Sequence, residues 1–218
     1  MSLEIILTED GSNSIKNTII DECYHSTSGA IDESQHIFIQ NGLQAINKTT
    51  INTLEIGFGT GLNALLTQIE CDKKKINNNY HSIENLPILS KDYKTLNYCK
   101  QLKVKDDRFL KMHNSPWGKE TPVSKYFNLL KINIDLEKFI LKTQYDLIYF
   151  DAFSPNKQPE LWTYNIFKKL YENLNTNGIL ITYCAKGIVK RTLKEVGFEI
   201  KSLAGPIGKR EITQAKKK

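Results

Sequence analysis

Apolar residues along this chain come in short runs, set between stretches where apolar positions recur every three or four residues. The runs at 51–56, 80–83, 127–134, 145–150 and 179–184 read as strands, buried on both faces where the apolar character is continuous. Helical spacing marks 62–71, 86–102, 162–174 and 188–196, with Pro87 suited to a first turn. Strands alternating with helices predict a parallel sheet covered on both faces. Near the start, 3–8 and 14–20 read as two short strands around Asp10-Gly11-Ser12-Asn13, followed by a helix over 31–43. At the other end, 198–203 and 210–214 read as strands joined by Gly205-Pro206-Ile207-Gly208, which implies an antiparallel edge. Residues 105–124, with Pro116, Trp117, Gly118 and Pro122, read as irregular, and 136–141 as a short helical piece.

The first strand of the main series runs into Leu54-Glu55-Ile56-Gly57-Phe58-Gly59-Thr60-Gly61-Leu62-Asn63. A strand entering a glycine turn before a helix presents backbone N–H groups to a ligand. A dinucleotide fingerprint needs G-x-G-x-x-G, but Leu62 holds the place of its third glycine. The tighter G-x-G-x-G, with Glu55 two residues ahead, resembles the first motif of class I S-adenosylmethionine-dependent methyltransferases. That resemblance assigns cofactor contact to Glu55, Gly57, Phe58, Gly59, Gly61 and Asn63.

Ligands of open α/β sheets sit beyond the carboxyl ends of the strands, so the residues that end strands carry information. Glu84 is placed to accept both ribose hydroxyls of a nucleoside, and the resemblance to class I methyltransferases implies that Asp135 faces the adenine amino group. Asp151 ends the fourth strand, where the reacting atom lies. Asp151-Ala152-Phe153-Ser154-Pro155 follows the logic of the D/N-P-P-aromatic loop of amino-group methyltransferases. An alkylamine is mostly protonated at neutral pH, so a carboxylate must position it and take or relay a proton. Phe153 is placed to stabilise the developing ammonium through its π face, and Pro155 to stiffen the loop.

The 218 residues allow one domain, with 40% hydrophobic and 25% charged residues. No apolar stretch approaches a membrane span, and Met1-Ser2-Leu3-Glu4 lacks a secretory layout. Cys23, Cys71, Cys99 and Cys184 form no C-x-x-C pair, and the four histidines lack ligand spacing; a cytoplasmic, metal-free protein is expected. The net charge of +6 is unevenly distributed, −6 over residues 1–60 and +7 over 186–218. A basic end of this kind suits a polyanionic partner or a solvated lysine-rich surface.

The block Asp151-Ala152-Phe153-Ser154-Pro155-Asn156-Lys157-Gln158-Pro159-Glu160-Leu161-Trp162-Thr163 resembles the D-x-F-x-P-x-K-x-P-x-x-W signature of one methyltransferase family. Its members convert 5-aminomethyl-2-thiouridine to the 5-methylaminomethyl form at the wobble position of tRNA. Tyr24-His25-Ser26, Gly29-Ala30, Glu33-Ser34, Thr182 to Gly187, Lys190-Arg191 and Gly205 to Glu211 extend the similarity over the chain. The implied fold is α/β, the Rossmann-like class I methyltransferase fold. It has a seven-stranded, mostly parallel sheet with an antiparallel edge strand. Residues 1–45 are expected to form an N-terminal extension able to lid the pocket, and 46–218 the methyltransferase domain. S-adenosylmethionine is the implied cofactor and the tRNA anticodon loop the implied partner. Tyr24, His25, Ser26, Trp162 and Tyr183 are implied contacts of the flipped base, and Lys186, Arg191, Lys209 and Arg210 of phosphates. Nothing here matches the flavin oxidase half fused in some relatives, so a stand-alone methyltransferase is expected. A methyltransferase for another amine and a non-enzymatic RNA-binding module stay open as alternatives.

Overall fold

The computed structural model describes residues 3–218. Met1 and Ser2, part of the N-terminus read above as lacking a leader layout, lie outside the described residues. The chain opens with a small antiparallel sheet of β1 (Leu3–Leu7), β2 (Asn13–Asn17) and β3 (Glu22–Cys23). Ile15 of β2 is fully buried against Ile88 and Tyr93. The helix expected over 31–43 is instead three pieces: α1 (Ala30–Ser34), a π-helical turn (Gln35–Gln40) and a 3-10 turn (Leu43–Ala45). Ile37, Phe38 and Ile39 of the wider turn are all buried.

The main unit then begins with β4 (Thr50–Ile56), α2 (Leu62–Lys74) and β5 (Asn77–Glu84). Two short helices follow, α3 (Ser90–Tyr93) and α4 (Tyr98–Gln101), where one helical stretch was expected. Asn97 in the break is drawn into bonds with the first hairpin: its amide donates to Gly11 O at 2.9 Å and its oxygen accepts Asn13 N at 2.7 Å. Next come α5 (Asp106–Asn114), β6 (Thr121–Ser124), β7 (Phe127–Asn133) and β8 (Tyr145–Phe150). The chain closes with α6 (Tyr164–Glu172), β9 (Leu174–Thr182), α7 (Gly187–Val196), β10 (Glu199–Ala204) and β11 (Glu211–Lys216).

The main sheet has eight strands in the order β10-β11-β9-β8-β4-β5-β7-β6, one more than expected. The extra strand is β6, from the segment read as irregular. Pro122 hid it, because proline removes a ladder donor; an edge strand tolerates that loss, and Pro122 is exposed there. β11 is antiparallel but lies inside the sheet between β9 and β10, so the antiparallel edge is β6. Five adjacent strands, β9, β8, β4, β5 and β7, are parallel. All six residues of β8 are buried, as a central strand covered on both faces requires. Strand order reverses at β4, which opens a crevice at the carboxyl ends of β4 and β8.

Residues 136–141 form turns without a helix. Their carbonyls are satisfied by Lys169 of α6, whose Nζ donates to Leu136 O and Glu137 O at 2.9 Å and to Phe139 O at 3.2 Å. No helix among the described residues is long and apolar enough to cross a membrane. Lys169→Met should cost about 2 kcal/mol of stability, since it strips charge-assisted donors from a half-buried loop; urea unfolding measures it, and an unchanged midpoint would refute this role for Lys169.

Candidate active site

The ends of three strands are sewn together where β4 meets its glycine turn. Gly57 N donates to Ile83 O at 2.9 Å, and Asp151 N donates to Ile56 O at 3.0 Å. Gly57 has φ +92°, and a side chain there would begin 2.8 Å from the Asp151 carbonyl oxygen. Gly61 precedes α2 at φ +76°, with the His113 Nε2 in the place of its missing Cβ. Neighbouring protein atoms therefore require these glycines. Burial draws His113 down to about 3, so a neutral ring donates from Nε2 to Thr60 O at 3.0 Å and braces the turn.

Beyond this seam lies a cavity of about 560 Å³, a size that holds a nucleoside joined to an amino acid. Gly57, Phe58, Gly59, Asn63, Glu84, Asp135, Asp151 and Phe153 line it. Glu84 is fixed by two backbone donors, Gly59 N at 3.1 Å and Leu86 N at 2.8 Å. Each of its oxygens keeps a lone pair, the acceptor set that the two O–H groups of a vicinal diol need. Burial raises its carboxyl above the ordinary range. Asp135 accepts Glu137 N at 3.0 Å on one oxygen. Asn63 donates to Asp151 Oδ2 at 2.8 Å, and burial pushes the Asp151 carboxyl up to about 7.

The cavity wall is strongly acidic: Glu22, Glu33, Glu84, Asp135, Asp151 and Glu160 face only Lys157 and Lys209. Such a wall suits a cationic guest. Ile56, Ile83, Ile134 and Leu136 supply apolar surface between the acids. Residues able to hold a diol, a purine edge and a cation thus fit S-adenosylmethionine, a nucleoside bearing a sulfonium and an ammonium.

The N-terminal sheet closes one side. Tyr24 meets the Phe153 ring edge-on at 5.0 Å, and its own ring stands 3.0 Å from where a Gly59 side chain would begin. His25 bridges Ser14 Oγ at 2.9 Å and Thr60 Oγ1 at 3.4 Å; burial draws it down to about 4, so the bridge is neutral. Ser26 lines the cavity and gives its amide to Glu33 at 2.6 Å. Glu22 accepts both the amide and the hydroxyl of Ser154 at 3.0 Å, tying this sheet to the loop after β8.

Several expected site residues do not line the cavity. Glu55 is fully buried, accepting the Ser82 hydroxyl at 2.5 Å on the strand beside it. Strand alternation sends its side chain to the sheet face and away from the strand-end crevice. Gly61 faces His113. Pro155 lies in the loop between the lining residues Phe153 and Lys157 without lining the cavity itself. Trp162, expected to stack a base, is buried between Phe150, Phe167 and Tyr183. Its Nε1 donates to Phe153 O at 2.8 Å, so it props the loop from beneath. Tyr183 does line the cavity, its hydroxyl donating to Ala152 O at 2.8 Å. Lys186 donates to Asn156 Oδ1 at 2.8 Å and is exposed beside that loop, as are Arg191 on α7 and Arg210 on the β10–β11 turn. Lys209 turns inward onto Glu33. Glu22 and Glu33 escaped the sequence reading as site residues. Glu33 had a signal, since Glu33-Ser34 belongs to the family match; Glu22 had none. Among the described residues no group of three or more His, Cys, Asp or Glu is placed to hold a metal ion.

A family model described as S-adenosyl-L-methionine-dependent methyltransferase matches residues 115–218. The tRNA 5-methylaminomethyl-2-thiouridine biosynthesis bifunctional protein of Marinomonas sp. is 27% identical, with 88% of this chain and 31% of that protein covered. Its counterpart in Ralstonia nicotianae is 30% identical, with 89% and 32% covered. The chain spans about a third of the length of these curated relatives. The crystal structure of MnmC2 from Aquifex aeolicus matches at TM-score 0.78 and 25% identity, over 100% of this chain and 70% of that one. Spermidine synthase from Thermotoga maritima matches at TM-score 0.60 and 13% identity, over 100% and 72%, which speaks for the fold alone. The fold is the class I methyltransferase fold.

Burial pushes Glu55 up from 4.5 to about 8. Between those values the folded chain keeps a proton that the unfolded chain has released, so stability falls as pH rises through the window. Glu55→Gln should flatten that decline in thermal melts from about pH 5 to about pH 8 and leave S-adenosylmethionine affinity unchanged by calorimetry. Loss of cofactor affinity would return Glu55 to the binding site.

Proposed function

We propose that the chain, similar over residues 115–218 to the S-adenosyl-L-methionine-dependent methyltransferases, methylates an amine on tRNA. The substrate in this reading is 5-aminomethyl-2-thiouridine at the wobble position, and the product its 5-methylaminomethyl form. The names of the matched bifunctional relatives contain that product. One observation carries the chemistry: Asp151, oriented by Asn63, sits in an acidic, aromatic-walled cavity directly against the glycine turn. When bound, S-adenosylmethionine supplies an electrophilic methyl group on a sulfonium.

The chain's own residues do the rest. Glu84 takes the ribose hydroxyls and Asp135 the adenine edge, while Gly57, Phe58, Gly59 and Asn63 shape the cofactor's seat. Asp151 keeps Oδ1 free while Asn63 holds Oδ2, so Oδ1 accepts a proton from the substrate ammonium and frees the nitrogen lone pair. Because burial sets Asp151 near 7, it exchanges that proton close to neutrality. Phe153 and Tyr183 wall the amine; Tyr24, His25 and Ser26 lie where the base enters. Exposed Lys186, Arg191 and Arg210 meet phosphates of the anticodon loop, and residues 1–45 act as a cover.

Purified chain with S-adenosylmethionine should methylate tRNA bearing aminomethyl-thiouridine and spare both unmodified tRNA and free amines, read by nucleoside mass spectrometry. Methylation of free amines alone would replace tRNA as the substrate. Asp151→Ala should lower kcat by about 10²–10⁴ while keeping cofactor affinity. In wild type, kcat/KM should climb with a slope of about one below pH 7, where Asp151 must ionise before it can take the ammonium's proton, and level off above it. Asp151→Asn should show the single slope throughout; an unchanged profile would remove Asp151 from proton transfer. Glu84→Ala should weaken S-adenosylmethionine binding about 10- to 100-fold by calorimetry, with undiminished affinity counting against the ribose contact.

A further inference from the structure

Glu33 of α1 has no part in the reading above, yet its surroundings are specific. The carboxylate is buried in the cavity wall. One oxygen accepts the Ser26 amide at 2.6 Å, which fixes its direction. The other holds the ammonium of Lys209, whose Nζ also stands 4.4 Å from the centre of the Tyr183 ring. Tyr183 is itself pinned by its hydroxyl on Ala152 O, one residue from Asp151. Asp151 feels both members of the pair: Glu33 raises its carboxyl and Lys209 lowers it.

A fixed carboxylate and a fixed aromatic face therefore already coordinate one primary ammonium beside the proton acceptor. Those two elements together recognise an alkylammonium: a charge-assisted hydrogen bond on one side, a cation–π contact on the other. The ammonium they hold belongs to a long side chain on the turn between β10 and β11, where Gly205 and Gly208 precede it.

We propose that Glu33 and Tyr183 form the subsite that receives the substrate's ammonium, and that Lys209 is an intramolecular stand-in which the substrate displaces. The proposal rests on the reading that the substrate is a primary amine. It makes Glu33 a specificity residue: an alcohol lacks the charge, and an amine carrying its own carboxylate meets two acids, Glu33 and Asp151. A displaced Lys209 becomes free to meet a phosphate of the incoming polyanion, so seating the amine and gripping the backbone are coupled.

The test uses the full chain and propylammonium chloride, with propan-1-ol as the neutral control, followed by ligand-observed NMR. Lys209→Ala should bind propylammonium about tenfold more tightly than either wild type or Lys209→Ala/Glu33→Gln, with no such difference for propan-1-ol. Equal affinity across the three proteins would overturn the proposal. Glu33→Gln alone retains the size of the residue and an acceptor for the Ser26 amide, and so remains informative if Lys209→Ala does not fold. It should lower kcat/KM on aminomethyl-bearing tRNA about tenfold, through KM, with cofactor affinity held within about twofold. An unaltered kcat/KM would overturn the subsite as well. Wild type that leaves this tRNA unmethylated while Lys209→Ala still captures propylammonium would refute the tRNA reading and leave the subsite standing.

Discussion

The site depends on one close approach. The Asp151 carbonyl oxygen occupies the space where any side chain on residue 57 would start. Two backbone bonds, Gly57 N to Ile83 O and Asp151 N to Ile56 O, hold that approach in place across β5, β4 and β8. A side chain at 57 would push the glycine turn away from the loop after β8. The cofactor's seat and the proton acceptor would then belong to separate surfaces. Because these contacts are backbone to backbone at the centre of a sheet, the arrangement is rigid before any ligand arrives.

Electrostatics follow from the same geometry. Parallel strands end together, so carboxylates placed at their ends converge on one volume, and their mutual repulsion is relieved in specific ways. Glu84 is stabilised by backbone amides and Asp151 by an asparagine, while Glu33 has a lysine. The first two remedies leave acceptor capacity toward the cavity. A guest with a sulfonium and an ammonium therefore relieves strain that the protein carries on its own.

Sequence patterns revealed the main sheet because its strands are nearly continuous apolar runs; the span read for β8, 145–150, coincides with Tyr145–Phe150. They failed where local signals conflict with tertiary context. Pro122 and Gly118 obscured an edge strand that needs neither face fully covered, and the helical spacing of 86–102 ignored Asn97, whose side chain is spent on the first hairpin. The strand-end acids Glu84, Asp135 and Asp151 were legible from topology. Glu55 and Trp162 were not: motif position ignores side-chain direction, which strand alternation and packing decide. The Glu33–Lys209 pair joins residues 176 positions apart, and no local periodicity announces such a contact.

The small N-terminal sheet is fastened unequally. On one side Ile15 packs into Ile88 and Tyr93, and the Asn97 and Gln101 amides grip Gly11 O at 2.9 and 2.7 Å. On the other, Glu22 reaches across to Ser154 with two half-buried polar bonds. Local opening of such a sheet begins at its less packed margin, the Glu22 side, with the eight-stranded sheet undisturbed.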